Sequence, residues 1–355
     1  MAKDIRVLIV DDSALMRRLI ADMVEATTGF AVAGVARNGQ EAVEKALALR
    51  PEVITMDVEM PVMNGLEALR EIMSRCPTPV IMLSSLTRHG AEETIRSLEL
   101  GAVDFVCKPS GAISMDIAEV KQTLMTKLQF AAQARLQPSL ETKAAPPRPA
   151  APPKATPIAA DRVVAIASST GGPRALEAII PQLPADLPAA VLVAQHMPPG
   201  FTAVMAERLN SLSAVRVREA ADGDLVARGE VLIAPGGQHL LINGRKRVMS
   251  SSAPPVWGVR PAADILMTSA VEAYGAACIG VVLTGMGQDG ARGAALIHKA
   301  GGKTIAQDEA TCVVYGMPKV AVELGGIDVV VPLLQIAATI ARLVGSATHS
   351  RSERS

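Results

Sequence analysis

Apolar runs alternate with amphipathic stretches along most of the chain, and the alternation lapses once before it resumes. From Arg6 to about Lys127, short runs predict strands at Val7–Val10, Ala31–Val35, Val53–Met56, Val80–Leu83 and Val103–Val106. Helical periodicity lies between them at Ser13–Glu25, Gln40–Leu49, Leu66–Arg75 and Glu92–Leu100, and again from Ile117 onward. Such alternation predicts a parallel sheet covered by helices. Across Gln129–Ala160 large apolar residues nearly vanish, and Pro146–Lys154 is almost all proline and alanine, the composition of a semi-rigid connector. Past Asp161 the pattern returns, with strands at Val163–Ala167, Ala190–Ala194, Val231–Ala234, Ile279–Leu283 and Val329–Val331. Val215–Arg218 and His239–Ile242 read as antiparallel edges or hairpins, and helices are expected at Arg174–Ile180, Thr202–Ser211, Ala262–Tyr274, Ala291–Lys299, Lys319–Leu324 and Leu334–Val344. The expectation is an α/β chain of two domains, an N-terminal doubly wound (βα)5 unit at 1–128 and a doubly wound, mostly parallel unit at 161–346. A linker at 129–160 separates them, and a polar tail follows at 347–355.

Composition narrows the function classes. The chain has 355 residues, enough for two independent cores, and no apolar run long enough to span a bilayer. Lys and Arg total 35 against 35 for Asp and Glu, so no basic excess draws it to nucleic acid or to an anionic membrane. Aromatic residues make up 2%, too few for base-stacking platforms. Cys76, Cys107, Cys278 and Cys312 form no CxxC pair, which argues against a zinc site or a disulfide framework. The first residues run straight into a strand rather than a cleavable apolar leader, so a cytoplasmic protein is expected.

In open α/β sheets ligands gather beyond the carboxyl ends of strands. Five polar residues of the first half stand there: Asp11 and Asp12 after the first strand, Asp57 after the third, Ser84 after the fourth and Lys108 after the fifth. Three converging carboxylates repel unless a cation lies among them, and an all-oxygen site suits Mg²⁺ with a phosphoryl group as its partner. Lys108 would balance the added charge and Ser84 would donate a hydrogen bond. The rival reading makes Asp11 and Asp12 helix caps and Lys108 a surface lysine.

With its Val10-Asp11-Asp12-Ser13, Met56-Asp57 through Asn64-Gly65, Ser84-Ser85 and Gly101 through Lys108-Pro109 motifs, this half resembles the receiver domain of two-component response regulators. The resemblance implies that Asp57 takes a phosphoryl group from a histidine kinase. It also implies that Asp11, Asp12, Asp57 and the Glu59 backbone carbonyl hold Mg²⁺, and that Ser84, Phe105 and Lys108 transmit the change.

In the second half, Ser169-Thr170-Gly171-Gly172 joins a strand to a helix, where free N–H groups and the positive helix end would stabilise an oxyanion. Ser169 reads there either as a nucleophile or as a helix N-cap. A nucleophilic serine needs a base, and His196, left at the sheet rim by Pro198 and Pro199, supplies one. Asp289 would fix its tautomer, unless it is simply a cap, and the Gly285-Met286-Gly287 turn offers oxyanion N–H groups. His239 reads as a turn or edge residue. The order Ser, His, Asp and the half-match to G-x-S-x-G point away from the α/β-hydrolase fold. Neither G-x-G-x-x-G at a strand–helix junction nor G-x-x-x-x-G-K-[ST] is present.

On Ser169 through Gly172, Gln195 through Thr202, Ala234 through His239, Arg260 through Asp264, Leu283 through Gly290 and Gln307 through Pro318, the second half resembles the catalytic domain of the chemotaxis protein-glutamate methylesterase (CheB) family. The resemblance implies Ser169 as nucleophile, His196 as general base, Asp289 as its orienting acid and the Met286 N–H near the oxyanion, with Thr170 and Gly171 beside the substrate. It implies hydrolysis of glutamyl methyl esters on chemoreceptors, deamidation of receptor glutamines, no cofactor for that chemistry, and control by receiver phosphorylation. Ser168 stands where the family usually has Ala, and Gln288 where Asn is usual, so Ser168 offers a second hydroxyl. A non-enzymatic, phosphorylation-dependent adaptor is the alternative.

Overall fold

Uncharged apolar runs suit strands buried on both faces of a parallel sheet, and such runs form inner strands of both sheets, although the uncharged Phe30–Ala36 and Val329–Val331 are partly exposed edge strands. The computed structural model describes residues 4–108, 115–134, 136 and 157–345. It divides the chain into units Met1–Ser139 and Leu140–Ser355. The proline-rich heart of the expected linker and the expected tail at 347–355 lie outside the described residues.

The first unit runs β1 (Ile5–Val10), α1 (Ala14–Glu25), β2 (Phe30–Ala36), α2 (Gly39–Leu49), β3 (Val53–Asp57), α3 (Gly65–Arg75), β4 (Val80–Ser84), α4 (Arg88–Glu99), β5 (Asp104–Cys107) and α5 (Met115–Ala131). All strands pair in parallel in the order β2-β1-β3-β4-β5, so the order reverses between β1 and β3. Side-chain caps start the first four helices: Ser13, Asn38, Asn64 in a capping box with Glu67, and Thr87. Thr87 begins α4 earlier than the expected Glu92, because the cap and not the apolar pattern sets the helix start. Gly65 is required by space, since a Cβ there would lie 2.0 Å from the Asp57 carbonyl oxygen.

The second unit runs β6 (Val163–Ser168), α6 (Gly172–Ile179), β7 (Ala190–Gln195), α7 (Phe201–Leu212), β8 (Arg216–Glu219), β9 (Glu230–Ile233), β10 (His239–Ile242), β11 (Val248–Ser251), α8 (Ala263–Tyr274), β12 (Cys278–Val282), α9 (Ala291–Lys299), β13 (Lys303–Gln307), α10 (Met317–Glu323), β14 (Val329–Val331) and α11 (Leu333–Gly345). Seven parallel strands form one sheet in the order β14-β13-β12-β6-β7-β9-β8. From β6 the chain builds outward through β7 to one edge and later through β12 to the other, so the order reverses at β6.

One expectation needs correction, and two strands were missed. The Val215–Arg218 segment is an edge strand but pairs in parallel with β9, whereas His239–Ile242 does form an antiparallel hairpin, with β11. The Lys303–Gln307 strand was not anticipated, its short apolar centre being flanked by polar residues, and neither was Val248–Ser251.

Candidate functional site

Three loops meet at the carboxyl ends of β12, β6 and β7, where the sheet order reverses and α/β folds place their ligands. Ser168 and Gln195 are the last register pair between β6 and β7, and the His196 N–H donates to the Ser168 carbonyl at 3.1 Å. Ser169 and His196 therefore leave adjacent strands side by side, with backbones about 5 Å apart. On the other flank the Ser169 N–H donates to the Thr284 carbonyl at 3.1 Å, which ties it to the loop after β12. A Cβ on Gly285 would come within 2.7 Å of the Ser169 Cβ, so that loop approaches only as glycine.

Ser169 does not cap α6. Gly171 holds the N-cap position at φ 76° with no side-chain cap. The Gly172 N–H donates to the Ser169 carbonyl at 2.7 Å, closing a turn whose third residue is left-handed, as a type II turn requires. The Ser169 hydroxyl has no hydrogen-bond partner among the described residues. Ser168, the other hydroxyl, is fully buried and donates to Gln195 Oε1 at 2.7 Å, out of reach of any substrate.

His196 Nε2 lies 2.7 Å from Asp289 Oδ2, and the Asp289 carboxylate is itself deeply buried. Backbone N–H groups hold the charge there: Ala263 donates to Oδ2 at 2.6 Å, Asp264 to Oδ1 at 2.9 Å and Gly290 to Oδ1 at 3.0 Å. Ala263 and Asp264 open α8, whose N-cap residue Ala262 supplies no side-chain cap. Asp289 thus grips the imidazole and caps a helix, though not the α9 that follows it, whose N-cap is Gly290 without a side-chain bond, but the open terminus of α8. Asp264 accepts from Trp257 Nε1 at 2.8 Å and the Gly293 N–H at 2.8 Å. Its pKa is raised, chiefly by burial and further by the nearby Asp289 charge. No hydrogen bond joins Ser169 to His196 among the described residues, and in substrate-free sites such contacts are often long. The half-buried Met286 donates its N–H to no partner among the described residues. His239 is 1% exposed, accepting from the Ala262 N–H and bonding the Pro254 carbonyl through its other nitrogen, so it braces the loop before α8.

In the first unit Asp11, Asp12 and Asp57 bring carboxylate oxygens within 4.8 Å of one another. Ser13 caps α1, which leaves Asp12 free of that task. Lys108 Nζ reaches Asp57 at 2.7 Å and Asp11 at 2.9 Å. Burial pushes Asp57 up to about 6, against the hydrogen bond and charge of Lys108 and with Asp11 and Asp12 adding to the rise. Asp11 Oδ2 is buried and makes no aligned hydrogen bond, its contact being the Lys108 ammonium. Three clustered carboxylates, of which Lys108 pairs with only Asp57 and Asp11, and a buried Asp11 Oδ2 that makes no aligned hydrogen bond, fit a divalent hard cation. The Glu59 side chain lies instead beside His89 and Glu93.

Ser84 is placed differently from expectation. Its hydroxyl is buried, donates to the Gly90 carbonyl at 3.1 Å and accepts from Thr94 Oγ1 at 2.7 Å, so it faces α4. Ser85 lines the cleft over Asp57 together with Asp12, Glu59 and Lys108. Phe105 is buried, with the Lys127 ammonium 5.3 Å from its ring centre.

Residues 164–340 match the family described as CheB methylesterase, and residues 7–118 that described as response regulator receiver domain. The protein-glutamate methylesterase/protein-glutamine glutaminase of Symbiobacterium thermophilum is 51% identical over 97% of this chain and 98% of its own. The chain belongs to the CheB methylesterase family. The Archaeoglobus fulgidus protein of the same name is 50% identical over 96% of this CheB-family chain and 98% of its own. The Thermotoga maritima CheB methylesterase catalytic domain, a crystal structure, superposes with a TM-score of 0.51 at 45% identity, covering 52% of the chain and 100% of that domain. Residues that the sequence argument passed over include Gln195, Ser85 and the first N–H groups of α8. Gln195 stood inside a quoted motif, but nothing in its type or spacing told of its partners.

Proposed function

We propose that the second unit hydrolyses γ-glutamyl methyl esters on the cytoplasmic helices of chemoreceptors, and that phosphorylation of Asp57 in the receiver unit raises this activity. The observation that carries the reading is the 2.7 Å contact between His196 Nε2 and the Asp289 carboxylate, at a strand end adjoining Ser169.

Because Asp289 can only accept, it fixes the imidazole proton on Nε2 and leaves Nδ1 as the base. The usual triad uses the ring the other way round, with the acid on Nδ1, but the chemistry is the same. Ser169 Oγ attacks the ester carbonyl carbon as its proton passes to Nδ1. The oxyanion gathers backbone N–H donors, Met286 among them. Collapse breaks the C–O bond, and the leaving methoxide takes the proton from Nδ1 to depart as methanol. Water then repeats the sequence on the acyl-enzyme and restores glutamate. A glutamine amide gives the same acyl-enzyme and releases ammonia, in keeping with the double name carried by the relatives. Throughout, the N-terminus of α8 stabilises the Asp289 charge.

In the receiver, Asp11, Asp12, Asp57 and the Glu59 carbonyl would hold Mg²⁺, which when bound offsets the charge of the acidic cluster and of an incoming phosphoryl group. The Asp57 carboxylate oxygen attacks the phosphorus of a phosphohistidine on a kinase, the P–N bond breaks and the kinase imidazole leaves, and Lys108 pairs with the product. Among the described residues no helix is long and apolar enough to cross a membrane. The protein would meet its receptors from the cytoplasm.

The test incubates the full chain with methyl-labelled receptor membranes and measures volatile methanol. Ser169→Ala should abolish release. Release at the parent rate would overturn the esterase reading in favour of an adaptor without chemistry.

A further inference from the structure

Beneath the reacting pair, Ser168 and Gln195 form a buried bracket, and we propose that Gln195 is a positioning residue for the reaction, with Ser168 acting only through it. This inference rests on the Ser169–His196–Asp289 reading. Gln195 is 2% exposed and Ser168 0%. Gln195 Nε2 donates to the Ser169 carbonyl at 3.0 Å and to the His196 carbonyl at 3.2 Å. Both partners are acceptors only, so this end of the amide must be the NH₂. Oε1 is then the end facing Ser168 Oγ at 2.7 Å, and the serine must be the donor. One arrangement of protons satisfies the whole network.

A single planar amide thereby joins the backbone of the proposed nucleophile to that of the proposed base. Sheet pairing reaches only as far as the bond from the His196 N–H to the Ser168 carbonyl, because the β6–β7 register ends at Ser168 and Gln195, and it leaves the Ser169 and His196 carbonyls to the amide. Past that pair the chains diverge, one into the turn at Ser169 and the other toward Pro198. The bracket also reinforces the turn, whose closing bond from Gly172 N–H ends on the same Ser169 carbonyl. Gly172 completes the fit: a Cβ there would stand 2.1 Å from Gln195 Oε1 and 3.0 Å from the Ser168 Cβ. The two carbonyls fix which way the amide points, and the hydroxyl at position 168 supplies the donor that its oxygen end needs.

The test measures kcat and KM for methanol release by the full chain carrying Ser168→Ala, Gln195→Met, Gln195→Glu, or Ser168→Ala with Gln195→Met. Loss of the bracket lets the two groups drift by a fraction of an ångström to one ångström, so Gln195→Met should lower kcat by about 30- to 100-fold with KM within twofold. Gln195→Glu keeps the shape but turns an oxygen toward two carbonyl oxygens, and its kcat should fall below that of Gln195→Met. A role in packing alone demands the opposite order. Ser168→Ala should lower kcat about three- to tenfold, and the double variant should match Gln195→Met, because the serine has no route to the site except the amide. A parent-like Gln195→Glu, a double variant whose loss is the product of the single losses, or an effect on KM alone would overturn the proposal. If the Gln195 variants do not fold, Ser168→Ala decides it, and parent-like kcat there refutes it. Should the parent itself release no methanol, or Ser169→Ala match it, the esterase reading fails instead.

Discussion

Replacing Asp289 by Asn changes one oxygen to an NH₂ in a place where four N–H groups need acceptors. Oδ2 receives His196 Nε2 and Ala263 N, and Oδ1 receives Asp264 N and Gly290 N. The amide has one oxygen, so one pair of donors must face another donor. If the oxygen stays toward His196, two buried backbone N–H groups lose their acceptor, at about 1–3 kcal/mol each. A unit of this size would then melt some 5–15 °C lower. The imidazole tautomer survives, but a charge-assisted bond becomes a neutral one, worth about 1–2 kcal/mol less, and kcat falls about 5- to 30-fold. If the NH₂ instead faces His196, the ring proton moves to Nδ1, the base is lost, and the fall approaches the roughly 10⁴-fold seen when the acid of a serine-protease triad is amidated. The assay is methanol release with kcat and KM resolved, on a sample whose thermal transition and circular dichroism show it folded. A folded Asp289→Asn variant with kcat within about threefold of the parent would refute the reasoning and leave Asp289 as a helix cap alone.

Asp57→Asn should remove the stimulation that a small phosphodonor gives the parent, and chelation of divalent cations should do the same to the parent; equal stimulation of both proteins would count against control through Asp57. Gly65→Ala should destabilise the receiver by about 1–3 kcal/mol, because its Cβ meets the Asp57 carbonyl oxygen at 2.0 Å, and denaturant unfolding followed in that unit would show it. Asp328 is subject to burial, which alone would raise its pKa, but hydrogen bonds from Lys303, Thr304 and His298 hold it down at about 2. Its folded pKa lies below the unfolded value, so its contribution is full above about pH 4 and disappears as pH falls toward 2. Asp328→Asn should therefore cost about 2 kcal/mol at neutral pH and the gap to the parent should close on acidification; a gap independent of pH would be the wrong result.

Much of the architecture was legible because both units bury their central strands on two faces, and such strands announce themselves as uncharged runs. Lys303–Gln307 escaped notice because its apolar centre is only Ile305 and Ala306, so its pairing with β12 and β14, not its own pattern, makes it a strand. The direction of Val215–Arg218 was equally invisible, since β8 and β9 are joined by a connection whose course no local pattern encodes. At the site, Ser169, His196 and Asp289 could be chosen because their chemistry is complementary. Gln195 could not, because a buried amide earns its role from the two carbonyls it happens to meet. Ser84 shows the opposite limit: its place at a strand end was plain, but whether its hydroxyl looks into the cleft or toward Thr94 depends on a side-chain torsion.

Strands β6 and β12 lie in the interior of a seven-stranded sheet, and almost every side chain along them is sealed from water. Amide protons there should exchange only when the whole unit opens, which makes the strands beneath Ser169 and Thr284 its stiffest part. A regulator acting on these strands has little to bend. If the proposed phosphorylation control holds, it then bears on whether substrate reaches the site, while the machinery that awaits it stays assembled.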